Sequence, residues 1–252
     1  MKLTGETHIG LVRSSNQDAL QCGKLNNGDV YAVVCDGMGG ANGGNVASNI
    51  AVKTIAERVC EAYANDNVPR SPSNLLASAM VAANIEIFDR GNNEPEYEGM
   101  GTTVVAVIVS DKTAYISHVG DSRLYLYRDN ALRQITRDHS VVQEMIESGQ
   151  LTEDEARSHP RKHFITRALG VSAMEEGEYD EIELAEGDRL LLCTDGLTNM
   201  VSDDVLADIL ASDEPTVAHM IEVALNEGGT DNVTAVLVEC TDDPNDYQKV
   251  EE

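Results

Sequence analysis

Aspartates recur where apolar runs end. Val30-Tyr-Ala-Val-Val-Cys35 leads into Asp36-Gly37, Ala114-Tyr-Ile-Ser-His-Val119 into Gly120-Asp121, and Leu190-Leu-Leu-Cys-Thr194 into Asp195-Gly196. Asp231 stands immediately before the apolar run that starts at Asn232. One Asp-Gly pair after a strand is an ordinary turn signal. Four such aspartates imply more: if neighbouring strands end at one edge, their carboxylates converge, and like charges packed together stay ionised only when cations neutralise them. Oxygen donors without a His/Cys set suit a hard ion, Mg²⁺, Mn²⁺ or Ca²⁺, rather than structural zinc.

Two further segments could serve such a centre. Gly37-Met-Gly-Gly-Ala-Asn-Gly-Gly44 has five glycines in eight residues, but no Lys-Ser/Thr follows and the spacing is not GxGxxG, which argues against a nucleotide cradle. Glycine instead lets the backbone come close, so that a carbonyl such as that of Gly37 can ligate a metal. In Gly10-Leu-Val-Arg-Ser-Ser-Asn-Gln-Asp18, Arg13 offers a fork of donors suited to phosphate oxygens. The six histidines show neither HExxH nor paired ligand spacing, and none is assigned as a ligand. His139 and His159 fall outside the strands and are open to a proton-transfer role.

Elements of both kinds must position these residues. The pattern predicts strands over 29–35, 102–109, 113–119, 123–127, 131–135, 188–193 and 232–240, with short Asp/Asn/Gly links that suggest antiparallel pairing. Helical spacing covers 46–64 and, after a cap at Ser73, 75–88; these two are expected as an antiparallel pair on a sheet. Thr152 caps a short helix, Ser202 caps 203–210, and 216–226 ends at Gly228-Gly229. No internal boundary interrupts residues 1–240, read as a single domain, and 241–252 reads as a solvated acidic tail.

Composition limits the partners. The chain has 252 residues with 44 acidic against 18 basic, a formal charge of −26, and 42% are apolar. So acidic a surface repels nucleic acid and anionic membranes, and any anionic substrate needs local cations. The longest apolar runs are six residues, against about 18 for a membrane span. Five cysteines without a CxxC pair read as reduced residues of a cytoplasmic protein. No heptad repeat argues for assembly, and a monomer is expected.

In chain order the motifs resemble the metal-dependent type 2C protein serine/threonine phosphatases in their bacterial form. The resemblance spans residues 5–240 and rests on nine segments: Gly10 to Asp18, Val34-Cys-Asp-Gly-Met-Gly-Gly40, Gly43-x-x-x-Ala-Ser48, Gly101-Thr-Thr103, Val119-Gly-Asp-Ser-Arg123, Asp138-His-Ser140, the stretch Gly149 to Gly170, Thr194-Asp-Gly-Leu197 and Gly229-Thr-Asp-Asn-Val-Thr234. It implies an α+β fold, a four-layer α-β-β-α sandwich of two packed antiparallel sheets flanked by helix pairs, with Mn²⁺ or Mg²⁺ at one end. By likeness Asp36 bridges two ions, Asp195 and Asp231 complete one, the Gly37 carbonyl helps hold the other, and Asp121 with Asp195 holds a weaker third. Asp18 would act through metal-bound water, Arg13 would bind phosphate, and 140–165 would form a mobile flap.

The implied activity is hydrolysis of phosphoserine and phosphothreonine by a water or hydroxide bridging two ions. Phosphoproteins and a cognate Ser/Thr kinase system are the implied partners. The alternative is a catalytically silent phosphoprotein-binding module of the same fold. Three positions depart from relatives. Gln17 replaces a frequent Glu, Met38 replaces the His of animal members, and Ala41 replaces a frequent His. With Met38, the leaving-group proton must come from a metal-bound water or another group.

Overall fold

The computed structural model of the chain describes residues 1–64 and 71–241, with the side chains of 40–42 excepted. Two antiparallel sheets lie face to face. The first, in spatial order, consists of β1 (Lys2–His8), β11 (Val233–Glu239), β10 (Arg189–Cys193), β7 (Arg123–Arg128) and β8 (Ala131–Gln134). The second is β2 (Asp18–Lys24), β3 (Val30–Met38), β5 (Val104–Ser110), β6 (Thr113–Val119) and β9 (Glu178–Glu183), with the two-residue β4 (Gly101–Thr102) added to the end of β3. Helices α1 (Gly40–Ala64) and α2 (Pro72–Asn93) cover the second sheet, and α6 (Asp203–Ala211) and α7 (Val217–Asn226) cover the first. The short helices α3 (Val141–Glu147), α4 (Glu153–Arg157) and α5 (Asp195–Thr198) lie in connections.

The central strands of both sheets are covered on both faces, so they read as continuous apolar runs. Alternation along β3 sends Val30, Ala32 and Val34 into the inter-sheet core with Val105, Val107, Leu190, Leu192, Val236 and Val238. Tyr31, Val33 and Cys35 point the other way, against Ala51, Ile55, Met80 and Ile87 of the helix pair. On the far side Leu191, Cys193, Ala235 and Leu237 pack against Leu206, Leu210, Met220 and Ile221. These three layers of contact make the expected four-layer α-β-β-α sandwich. Among the described residues no helix is long and apolar enough to cross a membrane.

Several boundaries differ from those the pattern predicts. The glycine-rich segment is not a free loop, because α1 already starts at Gly40. Strand β3 runs on through Asp36 to Met38, because Gly37 and Met38 pair with Thr102 and Gly101. Ser71 rather than Ser73 caps α2, accepting from the Asn74 amide. β1, β2, β9, α3 and α5 were not signalled. The hairpin of β7 and β8 closes at Asp129 and Asn130, both with positive φ (51° and 61°), as a two-residue turn between right-twisted strands requires. Residues 65–70, between the two expected helices, and 242–252 of the expected tail lie outside the described residues.

Candidate metal centre

Strand pairing does the first positioning. Asp18 opens β2 directly opposite Asp36 of β3. Cross-strand partners share a face, and both are in phase with the inter-sheet residues Leu20 and Val34. The two carboxylates therefore stand together at the end of the sandwich. Across the gap the first sheet supplies hydroxyls: Thr194 and Thr234 both donate to Asp18 Oδ2, at 2.9 and 2.7 Å. Thr234 spends its proton on Asp18, so Thr7 donates to Thr234 Oγ1 (2.7 Å) and itself accepts from Asn16 (2.9 Å). The chain Asn16, Thr7, Thr234, Asp18 is polarised in one direction.

Asp36 is fixed through its backbone. Its N–H donates to Thr103 Oγ1 (2.9 Å), and its carbonyl accepts from the Thr103 amide (2.8 Å) and the Thr102 hydroxyl (2.8 Å). Gly37 can be nothing larger, because a Cβ there would lie 2.0 Å from the Gly44 carbonyl oxygen. That contact explains why glycine is placed in the first turns of α1 against helix propensity. Asp195, the first residue of α5, accepts from the Asn199 side-chain amide (2.9 Å).

Asn232 organises the remaining side. Its amide donates to the carbonyls of Ile9 (2.8 Å) and Ser15 (3.0 Å), and its Oδ1 accepts from the Gln17 amide (2.8 Å). The loop 9–17 is thereby tied to the start of β11. Arg13, on that loop, donates from Nη2 to Asp231 Oδ2 at 2.7 Å. Asp231 Oδ1 accepts from the Asn232 amide (2.8 Å).

The electrostatics are those of a site built for cations. Burial, with the hydroxyl bonds opposing it, pushes Asp18 up to about 7, and the charges of Asp195 and Asp231 add to the rise. Asp36 is raised well above the carboxylate range, first by burial and then by Asp18, Asp195, Asp121 and Asp231. Burial and Asp195 do the same to Asp121, in the turn after β6, and burial and Asp231 raise Asp195. Among the described residues none of these four makes an ion pair. A converging, oxygen-only set whose charges repel one another fits hard divalent ions.

A second group, His118, His139 and Glu178, has donor atoms within 4.8 Å of one another. Its cation is already present: Arg167 Nη1 lies 3.0 Å from Glu178 Oε1 and 3.2 Å from His139 Nε2. His139 is buried with both ring nitrogens in contacts, so it has no path to a leaving group. His159 accepts the Arg161 amide at Nδ1. A cavity of about 510 Å³ opens between the 140–165 segment and α5, with Asp121 and Asp195 in its wall.

A family model described as "Protein phosphatase 2C" matches residues 4–239. The chain belongs to the protein phosphatase 2C family. It is 36% identical over 241 residues to the protein phosphatase PhpP of Streptococcus pneumoniae, covering 94% of this chain and 97% of that one. The Mycobacterium tuberculosis serine/threonine phosphatase PstP/Ppp superposes with a TM-score of 0.86 at 36% identity, covering 95% and 98% of the two chains. A catalytic domain of PstP solved with two manganese ions gives 0.84 at 35% identity, again covering 95% and 98%. Membership in this family accounts for the fold, the sheet pair and the helical layers. Thr194, Thr234, Thr103, Asn199 and Asn232, which secure the acidic residues, were missed as contributors. A signal was available for two of them: Thr194 and Thr234 continue the inter-sheet phase of Leu190/Leu192 and Val236/Val238.

Proposed function

We propose that this chain is a Mg²⁺- or Mn²⁺-dependent protein serine/threonine phosphatase acting on phosphoserine and phosphothreonine. The observation that carries the reading is the convergence of Asp18, Asp36, Asp121, Asp195 and Asp231, with Arg13 at their edge, in a member of the protein phosphatase 2C family. In this reading Asp36, Asp195, Asp231, Asp121 and the Gly37 carbonyl hold the ions. When bound, divalent ions supply Lewis acidity toward phosphoryl oxygens and a lowered pKa for water.

The chain's own groups supply the rest. Asp18, held by two threonine hydroxyls, can keep a proton at its carboxylate in the ion-free state, which limits the repulsion with Asp36. Arg13 is half exposed and presents its remaining guanidinium donors to the solvent side, where they can orient a phosphate. Its partner Asp231 raises its already high pKa, so it stays charged at every working pH. Ions held there would offset the carboxylate charge and, with Arg13, would draw a dianionic phosphate to a protein of charge −26.

Residues 1–240 are read as one catalytic domain, 140–165 as its flap and 241–252 as an acidic tail. The proposed setting is the cytoplasm, where the protein works as a monomer opposite a Ser/Thr kinase and its phosphoprotein targets, without nucleic acid or membrane. Five free cysteines support a reducing compartment. The silent binding module gains no support, since every acidic residue of the set is present and assembled. Phosphate release from a phosphothreonine peptide decides between the two: turnover with Mn²⁺, abolished by chelator and by Asp231→Asn, is expected. Equal turnover in chelator would remove the proposal.

A further inference from the structure

His139 stands at a junction that the phosphatase reading does not use. Its backbone N–H donates to the Gly120 carbonyl (2.9 Å), and the Gly120 N–H donates to its ring Nδ1 (3.0 Å). An Nδ1 that accepts leaves the proton of the neutral ring on Nε2, which donates to Glu178 Oε1 at 3.1 Å. His118 stacks on the ring, 4.8 Å between centroids, and donates from Nε2 to the Arg137 carbonyl (2.8 Å). Burial, with His118 and Arg167 beside it, opposes protonation of His139, in keeping with a neutral ring.

The same residue holds both ends of the 140–165 segment. The His139 carbonyl accepts from the Thr166 amide (2.8 Å), Ser140 bridges to Ile165, and the Val141 amide donates to Phe164 (2.9 Å). The next residue, Arg167, returns to the ring edge and binds Glu175 and Glu178. On its other side the Gly120 turn is wedged: with φ of +102°, a Cβ there would lie 2.6 Å from Thr103 Cγ2. Thr103 is the residue that receives the Asp36 amide, and its hydroxyl also meets Ser122 (2.6 Å).

We propose that His139 is a positioning residue, clasping the Gly120–Asp121 turn to both ends of the 140–165 segment so that this segment and the Asp121 carboxylate hold or lose their places together. The proposal rests on the phosphatase reading in that Asp121 is taken as an ion ligand. It assigns the ring a mechanical task and no proton transfer.

Two variants separate the contacts of the ring. His139→Asn retains an acceptor near the Nδ1 position, and His139→Gln retains a group near Nε2 while removing the acceptor for Gly120. In the metal-free full chain, amide hydrogen exchange in His139→Gln should rise about tenfold or more at 120–122 and at both segment ends, the effect of losing one buried hydrogen bond; in His139→Asn it should rise less than about threefold. With Mn²⁺, His139→Gln should lower kcat about tenfold at a KM within about twofold, and raise the Mn²⁺ needed for half-maximal rate.

Like behaviour of the two variants, or faster exchange at only one of the two places, would overturn the clasp. Should His139→Gln fail to fold, Glu178→Leu, on an edge strand, frees the ring at Nε2 instead. Faster exchange at 120–122 in that variant supports the proposal, and unchanged exchange overturns it. A wild type without Mn²⁺-dependent turnover would sink the phosphatase reading, while the exchange comparison would still decide the clasp.

Discussion

Asp18 makes the metal-free protein weaker as the pH rises, the reverse of the usual behaviour of a paired carboxylate. Its ordinary value of 3.8 applies in the unfolded chain, and burial lifts it to about 7 in the fold. Below 3.8 both states carry the proton and Asp18 costs nothing. Between 3.8 and 7 only the fold keeps it, so the unfolded state binds fewer protons and stability falls by about 1.4 kcal/mol per pH unit. Above 7 the full cost, about 4 kcal/mol, is present. Asp18→Asn substitutes a neutral group of the same shape, whose oxygen can still accept from Thr194 and Thr234.

The check is urea unfolding of both proteins in chelator at pH 5 and pH 8. The advantage of Asp18→Asn over wild type should grow by about 3 kcal/mol between these values, since about two pH units of the window lie above pH 5. Removing the Asp18 charge also relieves Asp36, whose share of the slope adds to the difference in the same sense. Saturating Mn²⁺ at pH 8 should reverse the order, because ions that bind only the fold stabilise wild type by mass action. A pH-independent difference, or an Asp18→Asn protein that is the less stable at pH 8 in chelator, would refute the reasoning.

Other perturbations reach the supports. Asp36→Asn should fold yet lose about 10²-fold or more in kcat and the Mn²⁺-induced rise in Tm; thermal scans with and without Mn²⁺ check it. Gly37→Ala brings a methyl group to 2.0 Å from the Gly44 carbonyl and should cost about 3 kcal/mol or more, read by denaturant midpoint. Arg123 forks onto Asp138 at 2.9 and 2.7 Å and bonds Tyr125, so Arg123→Gln leaves the partly buried Asp138 carboxylate with the Gln134 amide alone and should cost about 2 kcal/mol, read by denaturant midpoint. Asn232→Ala releases the 9–17 loop and should raise KM for a phosphopeptide more than it lowers kcat, seen in steady-state kinetics.

The legible part of the fold is the part that is apolar and continuous. The runs at 30–35, 104–109 and 190–193 announce buried strands because both of their faces are covered. β1 and β9, Lys-Leu-Thr-Gly-Glu-Thr-His and Glu-Tyr-Asp-Glu-Ile-Glu, are edge strands with one wetted side, and their polarity concealed them. The acidic residues could be picked out by type and place, but the sense in which they follow strands was only partly right. Asp36 lies inside β3 because a two-residue strand from far along the chain extends the pairing, and no local pattern carries that. The glycines of 37–44 signalled close backbone approach, which Gly37 and Gly44 make to one another, but not that α1 begins among them. Asn232 and the threonines act through long-range bonds, 9 with 232 and 18 with 234, which spacing does not encode.

The central claim, that these carboxylates are a divalent-ion centre, is tested most directly by counting Mn²⁺ bound per chain at equilibrium in wild type and in Asp36→Asn. The account predicts at least two ions per wild-type chain and a loss of at least one with Asp36→Asn. An undiminished complement in Asp36→Asn, or no bound Mn²⁺ in wild type, would contradict it.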